Sequence, residues 1–213
     1  KLSIIELSSG QQPMTFEDRT IVYNGEIYNY IELRNDLIGK GHKFHTTSDT
    51  EVILHLYAEY GNECVRLLNG MFAFIILDRR KNKLFISRDH FGIKPLYWYH
   101  DEKKIVFGSE IKAILAHPEI SAEPEIENLY EYFTFQFVMG EGTMFRNIFK
   151  VLPGHFTTID LASWEINTTK YWSPDFKIDQ YHTEEYFIDE LKKILTETIT
   201  QQLRSDVSLG TYL

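Results

Sequence analysis

The stretch Val22-Tyr23-Asn24-Gly25-Glu26-Ile27-Tyr28-Asn29 closes a strand-like run and opens a helix-like one. Just upstream, Thr20, Ile21 and Val22 are β-branched, so Thr20 to Asn24 reads as a strand. Asn24-Gly25 is a turn dipeptide, the ordinary end of such a strand. Downstream, Asn29 with Glu32 three residues later has the form of a capping box. Ile31, Leu33, Leu37 and Ile38 would line the helix that follows, and Gly39 can terminate it. Ser48 with Glu51 repeats the signal. The helix after it turns Val52, Ile53, Leu56, Tyr57 and Tyr60 to a core and stops at Gly61. A short apolar run, Leu2 to Leu7, precedes all of these.

From Met71 the pattern changes to strands. Met71 to Leu77, Lys83 to Arg88, Leu96 to Tyr99 and Lys104 to Phe107 are short apolar runs parted by turn-like residues, as expected of an antiparallel meander. Helices are expected at about Ser109 to Leu115 and Glu125 to Tyr132, and another strand at Gly154 to Asp160. Trp172-Ser173-Pro174-Asp175 interrupts the periodicity and reads as a linker. Beyond it, Thr183 can cap a helix whose first turn carries Glu184 and Glu185. Phe187, Leu191, Ile194, Leu195 and Ile199 then share one face. That helix and the strand-like tail after it look like the start of a second domain.

A chain of 213 residues, 43% hydrophobic and 15% aromatic, is long enough for one large domain with a substantial core. No stretch approaches the roughly 20 apolar residues needed to span a bilayer, so no membrane role is expected. The N-terminus lacks a signal-peptide pattern. A net charge of -9 speaks against nucleic acid as a partner. The one basic run, Arg79-Arg80-Lys81-Asn82-Lys83, lies between two apolar segments and reads as a solvated hairpin turn. The single cysteine, Cys64, excludes an internal disulfide and fits a reducing, cytoplasmic setting. It shares a helical face with Val65 and Leu68, which makes it a buried structural thiol rather than a nucleophile. His42 and His45 have a spacing a metal site could use, but no Cys or carboxylate cluster stands beside them, and no metal is expected.

Read with Ser48-Asp49-Thr50-Glu51-Val52 and with Arg88-Asp89-His90-Phe91-Gly92-Ile93-Lys94-Pro95-Leu96-Tyr97, the opening stretch resembles the glutamine amidotransferase domain of glutamine-dependent asparagine synthetases. Similar motifs occur in amidotransferases that make glucosamine phosphate or phosphoribosylamine. The wording Asn-Gly-Glu-Ile-Tyr-Asn and the tail from Ser205 to Leu213, which looks like the lead-in to a synthetase's ATP pyrophosphate loop, favour the synthetases. The resemblance implies an α+β fold, a four-layer αββα sandwich of the N-terminal nucleophile hydrolase type. It implies an amidotransferase domain over residues 1–172, a linker over 173–182, and over 183–213 the first helix and strand of an α/β synthetase domain. The family's nucleophile is an N-terminal cysteine, so the resemblance makes this chain, which starts at Lys1, a fragment without it.

The implied reaction is glutamine hydrolysis delivering ammonia to ATP-activated aspartate. Glutamine, aspartate and ATP with Mg²⁺ would be the small-molecule partners, the last two held outside this chain. The resemblance leaves room for a homodimer. Amide cleavage passes through a tetrahedral oxyanion that needs hydrogen-bond donors. By resemblance, Asn24 and Gly25 form that oxyanion hole, through a side-chain amide and a backbone N–H. The family's matching aspartate holds the α-ammonium of glutamine, so Asp49 reads as that group or, locally, as a helix cap beside Ser48. Glu26, Leu2, Ile4 and Ile5 match positions lining the glutamine pocket. Lys1 stands where the family has a carboxylate-clamping arginine; it keeps the charge but not the bidentate fork, and is the weakest of these matches. The 88–97 stretch would support the glutamine site and the domain interface, although locally Arg88-Asp89 reads as an ion pair and His90 as a turn histidine. Two alternatives stay open: an amidotransferase acting on another carboxylate, and a non-catalytic glutamine-binding or interaction module.

Overall fold

The structure is a computed structural model, described for residues 11–206, 208 and 210. Lys1, Leu2, Ile4 and Ile5, and most of the strand-like tail, lie outside those residues. Six antiparallel strands form one sheet in the order β1 (Met14–Phe16), β2 (Arg19–Ile27), β3 (Gly70–Asp78), β4 (Lys83–Arg88), β8 (His155–Asp160), β9 (Ile166–Lys170). A second sheet has the order β6 (Ile105–Gly108), β5 (Tyr97–His100), β7 (Ile148–Lys150). The helices are α1 (Tyr30–Gly39), α2 (Asp49–Tyr60), α3 (Ile111–Leu115), α4 (Ile126–Phe135) and α5 (Glu184–Gln202).

The period-two alternation of the strands sets the layers. On β3, Phe72, Phe74 and Ile76 enter one core with Phe85 of β4 and Val52, Ile53, Leu56 and Tyr57 of α2. Ala73 and Ile75, with Leu84 and Ile86 of β4, enter a second core against Trp98, Phe107 and Val151. The second sheet alternates too, because Tyr97, Tyr99 and Val106 face a third core with Ile111 and Ile114 of α3. Three cores therefore separate four layers: α1 and α2, the large sheet, the small sheet, and α3. This is an α+β sandwich of the αββα kind. Phe72, Phe74 and Phe85 are essentially solvent-free. Truncating a buried aromatic of this kind to alanine costs about 3–5 kcal/mol.

Several local expectations need correction. Asn24-Gly25 does not end a strand; β2 continues to Ile27, with Asn24 opposite Ala73 and Gly25 opposite Phe72. Asn29 makes no side-chain cap on α1. Its amide instead donates to the Leu67 carbonyl and accepts from Asn69 N–H, tying the start of α1 to the loop before β3. Only Leu37 of the expected α1 face is fully buried, while Ile31 and Ile38 are exposed. The expected meander is divided, since β4 and β5 belong to different sheets. Cys64 is buried as expected, but in a 3-10 turn (Gly61–Leu67), and burial pushes its thiol well above the usual range. The basic run does form the β3–β4 hairpin turn.

After β9 the chain runs without regular structure to α5, which Thr183 caps by accepting from Tyr186 N–H. Phe187, Leu191, Ile194, Leu195 and Ile199 form its apolar face and are about half exposed. Arg204 anchors the end of this segment, with two hydrogen bonds to the Glu32 carboxylate and one to the Tyr28 carbonyl. Among the described residues, no helix is long and apolar enough to cross a membrane.

Candidate functional site

Two glycines let β2 and β3 approach where the polar residues gather. A Cβ on Gly25 (φ +155°) would lie 2.1 Å from the Met71 carbonyl oxygen, and one on Gly70 2.2 Å from that of Glu26. Both are backbone contacts that cannot give way, so neither position accepts a side chain. The turn expected at Gly25 does not form; the glycine stands where the Met71 carbonyl of the neighbouring strand comes close. Asn24 is half-buried on the same strand and Glu26 is buried. Burial raises the Glu26 carboxyl, nearby Asp49 raises it further, and Lys94 opposes both.

Asp49 is the first residue of α2, and Ser48, not Asp49, is the cap, accepting from Thr50 N–H. Freed from capping, the buried Asp49 carboxylate turns to β2. Its Oδ2 accepts from Tyr23 Oη at 2.8 Å and from Ile27 N–H at 3.1 Å. Among the described residues its Oδ1 has a long contact, 3.5 Å from Ser48 Oγ, and the Thr50 N–H also favours the ionised carboxylate. Burial raises the Asp49 carboxyl more than these bonds lower it. The ionised group is therefore costly here, and a cationic partner at Oδ1 would relieve that cost. Glu51 does not complete a capping box. It accepts from the backbone N–H groups of His45 and Thr46 and from Thr46 Oγ1, fixing the loop ahead of α2.

Arg88 and Asp89 are not an ion pair. The guanidinium donates to three backbone carbonyls, those of Gly92, Lys94 and Val151. The Asp89 carboxylate accepts from four backbone N–H groups, of Phe72, Phe91, Ile93 and Lys94. Together they fold residues 89–94 into a compact loop next to the Gly25–Phe72 contact. His90 packs edge-on against Tyr171 and Trp172. His42 lies 2.9 Å from His55 Nδ1 and 3.2 Å from Glu59. No cluster of three or more His, Cys, Asp or Glu that could hold a metal occurs among the described residues.

The structure thus brings Asn24, Gly25, Glu26 and Asp49 together at one end of β2, joined by two groups that sequence reasoning passed over. Tyr23 was legible as a lone hydroxyl on an otherwise apolar face with Ile21 and Ile27. Lys94 carried no local signal, because its place depends on how Asp89 folds the loop.

Comparison with known proteins decides the family. Residues 1–172 match the model of a glutamine amidotransferase domain. The chain belongs to this family. Over its whole length it is 38% identical to "Asparagine synthetase [glutamine-hydrolyzing] 3" of Bacillus subtilis, covering 35% of that protein. It is 40% identical to "Asparagine synthetase [glutamine-hydrolyzing] 1" of the same organism, again over the whole chain and 34% of the relative. A putative asparagine synthetase of Methanocaldococcus jannaschii is 37% identical, with 44% of its length covered. The chain thus spans between a third and a half of these relatives. Among solved structures, glutamine phosphoribosylpyrophosphate amidotransferase from B. subtilis superposes with a TM-score of 0.52 at 19% identity, covering 76% of this chain and 32% of that one. That likeness supports the fold alone.

Proposed function

We propose that this chain is the glutamine-hydrolysing part of an asparagine synthetase and that the Asn24-to-Glu26 end of β2, with Asp49, is its glutamine site. The observation that carries the reading is the Asp49 carboxylate. It is buried and anchored through one oxygen by Tyr23 and Ile27, while among the described residues the other makes a long contact with Ser48, which leaves it acceptor capacity. A charge-assisted contact there would select an α-amino acid over a simple amide. Asn24 and the Gly25 N–H are the donors for the oxyanion. Cys64, buried and with its thiol pushed up, is unsuited to be the nucleophile. The family's N-terminal cysteine would fill that role, with its own α-amino group as base. Lys1, Leu2, Ile4 and Ile5 would line the rest of the glutamine pocket.

The ammonia acceptor is aspartate, activated by ATP with Mg²⁺ in a second domain of the full-length protein. Residues 1–172 are the amidotransferase domain, 173–182 the linker, and 183–213 the start of the synthetase domain. The half-exposed apolar face of α5 supports this division, since such a face calls for a partner layer. The protein would act in the cytoplasm.

Replacing Asn24 by alanine in the full-length protein tests the site. Loss of an oxyanion donor lowers glutamine-dependent kcat by about 10²–10³-fold. Synthesis from added ammonia should persist, because it does not use that amide. Equal loss of both activities would assign Asn24 to folding instead.

A further inference from the structure

At the opposite end of β2 the surface reverses the charge of the chain. The turn before Arg19, the loop after α1 and the β3–β4 hairpin turn enclose a cleft of about 540 Å³. Arg19, Lys40, Lys43 and Arg80 line it against one carboxylate, Glu17, although the protein carries a net charge of -9. Glu17 is bound by Arg19 Nη1 at 2.7 Å, and Lys40 leans 3.7 Å from Asp36. Lys43 and Arg80 have no hydrogen-bond or ion-pair partner among the described residues.

Two further side chains of the lining are buried and incompletely satisfied. The Arg19 side chain is nine-tenths buried, yet its Nε has no hydrogen-bond partner, the nearest carboxylate oxygen being Asp78 Oδ2 at 3.9 Å. His55 is fully buried between the rings of Phe16 and Phe44, and its Nε2 also lacks a partner, with Glu51 Oε1 3.6 Å away. The Asp78 oxygen is unsatisfied as well, so the Arg19–Asp78 pair is loosely made, and incompletely bonded buried groups of this kind are rare and costly.

We infer that this cleft binds the phosphoryl group of a small metabolite. A carboxylate is satisfied by a single bidentate arginine. A phosphate monoester carries close to two charges and three acceptor oxygens, and so suits cations converging from three segments of chain. The cleft has the volume of a small-molecule site, with Phe16 and Ala58 as apolar wall for an organic moiety. Arg19 and Asn24 are five residues apart on a strand, roughly 17 Å, so such a ligand would not compete with glutamine.

Titration calorimetry of the 213-residue chain with inorganic phosphate and with phenyl phosphate, against sodium chloride at matched ionic strength, tests this. The expected result is saturable binding that weakens about tenfold in Lys43→Ala and again in Arg80→Ala, as for one lost charge-assisted contact each. Lys170→Ala, on the far edge strand, should bind as the parent does. Tighter binding of phenyl phosphate assigns the cleft to an organic monoester, and equal binding to the phosphate ion itself. No saturable binding, or equal affinity in the Lys43, Arg80 and Lys170 variants, overturns the inference. Both cleft substitutions are at exposed loop positions, so the variants should fold, and their melting curves verify that.

Discussion

Asp49 and Asp89 are both buried and both stand next to β2 or β3, yet their oxygens are used differently. Asp89 accepts from four backbone N–H groups shared over both oxygens, and the bonds span from Phe72 on β3 to Lys94 in the loop. Among the described residues, Asp49 accepts two good bonds on Oδ2 and a long one from Ser48 on Oδ1, with the Thr50 N–H close by. A carboxylate has about four acceptor positions. Asp89 has filled its own with the protein, while Asp49 has kept some. Burial alone therefore does not mark a binding group; the distribution of its bonds does. Asp89 sets the backbone of the site, and Asp49 is the residue we propose to meet the ligand.

The sharpest way to break this contrast is Asp89→Ala. Four backbone donors would lose their acceptor at once, at about 1–3 kcal/mol for each one left buried and unpaired. A loss of more than about 4 kcal/mol, or outright failure to fold, is expected in denaturant titration. A variant destabilised by less than about 1 kcal/mol would show that water replaces the carboxylate and that Asp89 is no keystone.

The strands that carry the site were legible because their alternation is strong; Met71 to Leu77 and Lys83 to Arg88 place Phe72, Phe74 and Phe85 on one face without help. The edge strands β1, β7 and β9 were not, being three to five residues long and, for β9, almost wholly exposed. Asn24-Gly25 misled local reading because a dipeptide that favours turns sits here mid-strand, where the Met71 carbonyl approaches too closely for any side chain. Ser48 and Glu51 show the limit on the helical side. The cap formed, but Glu51 found three donors in the loop at His45 and Thr46 that no i, i+3 rule could foresee. Burial would raise the Glu51 carboxyl, and those bonds hold it below the usual value. Its contribution to stability is accordingly present at neutral pH and lost as pH falls through its folded pKa. The candidate site residues came from the resemblance, whereas the parts played beside them by Tyr23 and Lys94 emerged from the packing of β2 against α2 and the 89–94 loop.

Asp49→Asn probes the other aspartate, with a smaller effect and an opposite sign for stability. An amide oxygen in the place of Oδ2 still accepts from Tyr23 and Ile27, so the fold is retained. Because burial raises the Asp49 carboxyl, the folded state keeps its proton to higher pH than the unfolded chain. Between the ordinary aspartate value and the raised one, increasing pH costs stability, and the cost persists above that window. Asparagine removes it, so the variant should melt higher than the parent at pH 7 and alike at pH 3. Glutamine KM in the full-length protein should rise about 10–150-fold, the equivalent of roughly 1.5–3 kcal/mol for one charge-assisted contact, with ammonia-dependent synthesis unaffected. An unchanged KM would leave Asp49 a buried acceptor like Asp89 and erase the contrast.

Tyr23→Phe gives the finest test, because it removes one hydrogen bond from Asp49 and nothing else from its surroundings. The tyrosine hydroxyl is itself raised well above its usual pKa, first by burial and then by Asp49, so it remains a donor at every working pH. Its bond lowers the Asp49 carboxyl against the effect of burial. Without it, Asp49 holds its proton to higher pH, and the ammonium of glutamine meets a neutral acid over a wider acidic range. The acid limb of kcat/KM for glutamine should therefore move to higher pH, while the plateau near neutrality changes little. The fold should lose about 1 kcal/mol, as for a typical intramolecular hydrogen bond. A purely structural tyrosine would give the same stability loss with the acid limb unmoved, and that outcome would detach Asp49 from the binding of glutamine.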